Sequence, residues 1–173
     1  MKRCVLLLAL LGMVFLGVNG MAADLKIGYV DLQKVLNESD AGKAAKQKIG
    51  EKVKEYEIQI QARQKELQAA KEELEKQALL LSDEARSKKE REYQQKLKEL
   101  QRFTKDVRED LQMRDSDATK KILAEILKIV SSYGEEQGYT LILEKNESSL
   151  IYASDKIDLT DAILERYNQS RKK

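Results

Sequence analysis

The sequence predicts an α+β fold: a small β body, built from strands at both ends of the chain, from which a long antiparallel α-helical coiled-coil hairpin projects. Three observations predict it. The 173-residue chain contains no proline, and no glycine lies between Gly50 and Gly134, so its middle is unpunctuated. Apolar residues in that stretch recur at alternating four- and three-residue spacing, the seam of a helix that packs along a partner. Short runs of period-two alternation lie outside it, near both ends.

The chain opens with Lys2 and Arg3, continues through the apolar run CVLLLALLGMVFLGV from Cys4 to Val18, and reaches small residues at Gly20, Ala22 and Ala23. This is the layout of a cleaved signal peptide, residues 1–22, with processing expected after Ala22 and with Gly20 or Ala23 as neighbouring sites. The apolar run is shorter than the roughly 20 residues that span a bilayer; an uncleaved anchor is the alternative. Cys4, the single cysteine, leaves with this leader, so no disulfide is expected. Lys2 and Arg3 leave too, which turns 32 basic and 30 acidic residues into a balance of zero. Attraction to acidic partners must then be local.

Residues 23–40 form the first part of the body. In LKIGYVD, Leu25, Ile27 and Tyr29 share one face of a strand from Leu25 to Asp31, and Gly28 marks a bend or close approach. A short helix is expected over Val30 to Asn37, followed by a loop in which Ser39 or Asp40 caps the next helix.

The arm occupies residues 41–133. Its first seam runs through Ile49, Val53, Tyr56, Ile60, Leu67, Ala70, Leu74 and Leu81, with Arg63 and Gln77 in two slots. The same count then lands on Ala85, Lys88, Glu92 and Gln95, which no helix would bury as a stripe, so the register breaks between Ser82 and Glu92. A second seam runs through Tyr93, Leu97, Leu100, Val107, Leu111 and Ala118, interrupted by Thr104 and Arg114. Ser82 followed by Asp83 and Glu84 fits a new helix start, because a hydroxyl accepts from orphan amides and acids favour the first turn. The tip is placed near residues 81–86; one continuous rod is the alternative.

Residues 134–173 complete the body. Ile122, Leu123, Ile126, Leu127, Ile129 and Val130 thicken the apolar pattern just before it and should be buried there. Gly134 and Gly138 bracket a turn. YTLILE from Tyr139 to Glu144 and SLIYAS from Ser149 to Ser154 then read as a β-hairpin joined by KNES. A final helix places Leu159, Ile163 and Tyr167 on one side, capped by Asp158 or Thr160. A body of roughly 50 residues is near the lower limit for a single core. Its open strand edges are a hazard that self-association would remove.

The segments IGYVDLQKVLNES, LLSDEARSKKEREYQQK, GYTLILE, IYA and IDLTDAIL, in this order, resemble the Skp (OmpH-like) family of periplasmic chaperones. The resemblance covers essentially the whole mature chain. It implies a homotrimer whose shared strand body is completed by trimerisation, with three hairpins projecting around a cavity. It also implies ATP-independent holding of unfolded outer-membrane proteins in the periplasm of a Gram-negative cell. Members of the family are often strongly basic; the zero balance here departs from that and makes capture by overall charge doubtful.

No histidine and no mature cysteine are present, so histidine- and cysteine-based metal clusters and histidine-dependent triads are absent, and no glycine-rich phosphate loop appears. No enzymatic activity and no cofactor are expected. The sharpest polar feature is the segment Arg86 to Arg108, with nine basic residues against four acids, a local +5 able to steer acidic chains or lipid phosphates. The competing reading is a solvated face with intrahelical pairs such as Glu92 with Lys96. Client-binding candidates are Leu79, Leu80, Arg86, Lys88, Lys89 and Arg91. Oligomerisation candidates are Leu25, Ile27, Tyr29, Leu141, Leu143 and Ile151. Expected partners are unfolded outer-membrane proteins, further copies of the chain, and anionic lipid or lipopolysaccharide, but no nucleic acid. A structural envelope protein, using its arms as spacers or docking arms, is the alternative from a different class.

Overall fold

The computed structural model describes residues 25–77 and 80–172, so the expected signal peptide and Leu79 lie outside the described residues. Strand β1 (Ile27–Val30) leads into helix α1 (Leu32–Glu38), then the two arm helices α2 (Asp40–Gln77) and α3 (Asp83–Gln137). Strand β2 (Leu141–Glu144), a 3-10 turn (Asp155–Ile157) and helix α4 (Thr160–Ser170) close the chain.

The arm is the hairpin that the seam requires. The break falls where the register fails: the Ser82 side chain caps α3 by accepting from the Ala85 amide, with Asp83 and Glu84 in the first turn. The 38 residues of α2 reach about 57 Å at 1.5 Å per residue. The seam residues from Ile49 to Leu74 are each half-buried, as are Tyr93, Leu97, Leu100 and Leu111 on the other helix, while their neighbours are mostly exposed. The helices are nonetheless longer than the arm that the sequence suggested. α2 begins at Asp40, where the Asn168 side chain accepts from its amide, and α3 continues past Tyr133 to an αL cap at Gly138.

The ends of the chain meet in the body. β1 and β2 pair in parallel, Ile27 opposite Leu141 and Tyr29 opposite Leu143, which the sequence reading did not anticipate. Two corrections follow. β1 is shorter than Leu25 to Asp31, because Leu25 lies outside the sheet and Asp31 turns away to cap α1, accepting from the Lys34 amide. The expected hairpin is absent: 145–149 are turns, Ser149 takes a positive φ of 51°, and 150–154 form no strand. The reason lies in what pairing would bury. Ile151 and Tyr152 are 100% and 85% exposed, so a third strand would exchange hydrogen bonds with water for hydrogen bonds with β2 while gaining no apolar burial within one chain. The described sheet therefore has two strands rather than three.

Val30, Val35, Leu36, Ile122, Ile126, Leu159, Ile163 and Tyr167 make the core beneath this sheet. The final helix buries the three residues that its four-residue spacing selected, Leu159, Ile163 and Tyr167. Leu127, expected among the buried residues, is 52% exposed, since it lies across α3 from the Ile122 and Ile126 face. Two glycines make close approaches. A Cβ on Gly28 would lie 2.4 Å from Leu159 Cδ1, and one on Gly42 would lie 1.8 Å from the Leu36 carbonyl oxygen.

Candidate functional site

Two surfaces carry the residues that the sequence selected. On the sheet, Val30 belongs to the core and Ile142 packs against it, so alternation puts Ile27, Tyr29, Leu141 and Leu143 on the opposite face. Leu141 is 46% exposed and Ile27 and Leu143 are half-buried. Tyr29 is buried, with a backbone bridge to Asp158; burial and the neighbouring Asp158 carboxylate push its phenol above the ordinary value. Leu25 is 65% exposed and Ile151 is wholly exposed nearby in sequence to Tyr152, which the candidate set missed although IYA contains it. The outer edge of β2 pairs with no strand among the described residues. A shallow groove beside it runs between α3 and β2 past Leu127, Val130, Gly134, Leu141 and Ile142.

On the outer arm the basic segment divides. Lys89 reaches across the hairpin to Glu73 at 2.7 Å and holds that carboxylate below the usual range. Lys96 reaches Glu66 at 3.7 Å, rather than forming the expected intrahelical pair with Glu92. Arg86 pairs along its own helix with Glu90 at 3.0 Å. These three are ties within the arm. Among the described residues, Lys88, Arg91, Lys98 and Arg108 form no ion pair, although Arg91 donates to the Ser87 hydroxyl at 3.2 Å. Arg91, Lys98 and Arg102 follow one another at seven and four residues along the outward side of α3, lining a groove with Gln94 and Gln95. Leu80 at the tip is 85% exposed.

Polar ties that the sequence did not disclose fix the arm and the body. Tyr56 donates to Asp110 Oδ2 at 2.9 Å, and Arg114 Nε donates to the same oxygen at 2.6 Å. Arg114 first, and Tyr56 second, hold the Asp110 carboxyl below its ordinary range. In the body, the fully buried Tyr167 donates to Glu125 Oε2 at 2.7 Å, and Arg171 pairs with the same carboxylate. Burial and Glu125 push the Tyr167 phenol up to about 12, and its hydrogen bond leads the effects that lower Glu125. Among the described residues no group of three or more acidic, histidine or cysteine side chains is placed to hold a metal ion. No described helix is long and apolar enough to cross a membrane.

Residues 26–167, from β1 through both arm helices into α4, match the model of the outer membrane protein (OmpH-like) family. The chain belongs to the OmpH-like family. This OmpH-like chain is 28% identical over 152 residues to an uncharacterized protein of Aquifex aeolicus, covering 88% of this chain and 91% of that one. It is 26% identical over 153 residues to the Skp-like protein of Pseudomonas aeruginosa, covering 86% and 88%. A solved chain described as an OmpH-like outer membrane chaperone, from Caulobacter crescentus CB15, has the same fold, with a TM-score of 0.78 over 90% of each chain at 15% identity. The OmpH-like match takes in the body and the arm together, so the two surfaces described above belong to one family architecture.

Proposed function

We propose that this chain is an ATP-independent periplasmic holdase chaperone that binds unfolded outer-membrane proteins in a cavity between the arms of a homotrimer. The observation that carries the reading is the junction of two incomplete parts in one OmpH-like chain. The body leaves an apolar sheet face, an open β2 edge and the exposed Ile151 and Tyr152, all of which further copies would cover. The arm, about 57 Å long, is too long to fold back over that body. Leu25, Ile27, Leu141, Leu143 and Ile151 supply the oligomer contacts in this reading, and Tyr29, already buried within one chain, backs them from beneath. Signal-peptide cleavage after Ala22 delivers the chain to the periplasm.

Client capture needs many weak contacts rather than a pocket. Lys88 and Arg91, continued by Lys98, supply unpaired positive charge that attracts acidic clients and the phosphates of anionic lipid or lipopolysaccharide. Leu80 offers apolar contact at the tip, with Leu79 proposed beside it from the sequence alone, while Arg86 and Lys89 contribute what their ion pairs leave unscreened. The reading requires neither catalysis nor a cofactor. Diluting a urea-unfolded outer-membrane barrel protein into the mature chain, and following light scattering, tests it directly. Aggregation is suppressed at one trimer per client; unchanged scattering overturns the holdase reading.

A further inference from the structure

The apolar seam by itself does not specify how α2 and α3 align. A four-three repeat of half-buried aliphatic side chains is satisfied about as well after a slip of one heptad, whereas polar groups placed within a seam discriminate between registers. Between Lys43 and Lys121, the stretch of arm outside the body core, Val107 is the one buried residue among those described, at 8% exposure. On this stretch lies one polar interruption of each seam, Arg63 on α2 and Arg114 on α3. Arg63 lies over the Phe103 ring at 4.4 Å, and Phe103 meets Tyr56 edge-on at 6.3 Å and 75°. Tyr56 and Arg114 converge on a single Asp110 oxygen. Among the described residues, the remaining side-chain ties between the two helices, Lys89 with Glu73 and Lys96 with Glu66, lie further out and are single ion pairs with mostly exposed partners.

We propose that Tyr56, Arg63, Phe103, Asp110 and Arg114 form a mid-arm latch that fixes the register of α2 against α3. Each member suits the role. The phenol of Tyr56 has one acceptor within reach on the facing helix, and Arg114 holds that acceptor charged and oriented from one turn away. Phe103 cannot sit beneath Arg63 and against Tyr56 in any register but this one. Arg63, which an apolar seam would exclude, thereby becomes part of the specification. The latch lets the outer arm work as a single lever, because load applied at the tip cannot be relieved by sliding one helix along the other.

The absence of cysteine beyond Cys4 makes the test clean. Spin labels on Glu66→Cys and Lys96→Cys, introduced into the mature chain, report the alignment through their separation. The otherwise unaltered chain gives one narrow distance. Tyr56→Phe combined with Asp110→Asn gives a second population at longer distance, in which the two labelled sites are offset along the arm by about 10 Å, the rise of one heptad. A single narrow distance in that variant overturns the proposal. If the double substitution loses helicity by circular dichroism, Tyr56→Phe alone decides. It keeps the ring and removes only the hydroxyl, and an unbroadened distance there overturns the proposal equally.

Discussion

Replacing Tyr167 by phenylalanine removes one oxygen from a side chain that is 1% exposed. The ring stays in the core, so no cavity opens, and the change isolates the hydrogen bond to Glu125 at 2.7 Å. A hydrogen bond to a charged acceptor is worth about 1.5–3 kcal/mol. Arg171 continues to pair with Glu125, which keeps the loss toward the lower end of that range. About 2 kcal/mol lowers the melting temperature by roughly 4–8 °C in a chain of this length. The pH dependence supplies the sharper signature. The folded chain holds the Tyr167 proton up to about pH 12, whereas the unfolded chain releases it near the ordinary 10.0. The stabilisation is thus fully present below pH 10 and is lost as pH rises toward 12. It amounts to no more than about 2.7 kcal/mol before screening by solvent around Arg171 lowers it. Glu125 has the opposite sign: its lowered folded value gives stability present above the ordinary 4.5 and lost as pH falls below it. Melting temperatures measured from pH 3 to pH 11.5 decline at both ends in the unaltered chain. In Tyr167→Phe the alkaline decline flattens and the acid decline shrinks. Parallel profiles for the two proteins would refute this account of the cluster.

Further predictions follow from the glycines and from the exposed loop. Gly42→Ala drives a Cβ to 1.8 Å from the Leu36 carbonyl and costs at least about 2 kcal/mol, whereas Gly50→Ala meets nothing within 4 Å and adds about 1 kcal/mol. Thermal melts of the pair, one lower and one higher than the unaltered chain, check both signs. Ile151→Asp leaves the helix content of a single chain unchanged, because the side chain is wholly exposed, yet reduces the mass measured by light scattering from three chains to one. An unchanged mass would remove Ile151 from the contacts between copies.

The arm and the last helix were legible in the sequence because each is decided by neighbours a few residues apart. Ile49 to Leu74 and Tyr93 to Leu111 repeat at helical spacing, Ser82 caps locally, and Leu159, Ile163 and Tyr167 share one stripe. The pairing of β1 with β2 was not legible. Alternation identifies a strand without naming its partner, and a parallel partner across the whole arm leaves no turn signal of the kind that a hairpin shows. SLIYAS reads as a strand because its residues favour one, but Ile151 and Tyr152 have nothing to cover within a single chain. At the candidate surfaces, charge excess was visible over Arg86 to Arg108, while the division between tied Lys89 and unpaired Lys88 was not. Which lysine finds an acid depends on the facing helix, and Glu73 lies 16 residues from Lys89. The latch was hidden for the same reason: Arg63 and Arg114 stood only as gaps in the two seams and Tyr56 as one more seam residue, with nothing local to join them to Phe103 and Asp110.

The parallel pairing also orders events during folding. The Asp31 amide donates to a Thr160 hydroxyl 129 residues away, and Lys26 reaches the Gln137 carbonyl across 111. Contacts at such separations form slowly in an open chain, since the intervening loop must be closed before they return anything. The arm supplies the shortcut: its helices meet through neighbours across a short tip, and their closure carries the two ends to within a few ångströms of each other. Until that happens, β1 is an unpaired apolar strand waiting for residues made more than a hundred positions later. Each newly made copy thus passes through the condition of an unfolded strand with a free edge before its own arm ends it.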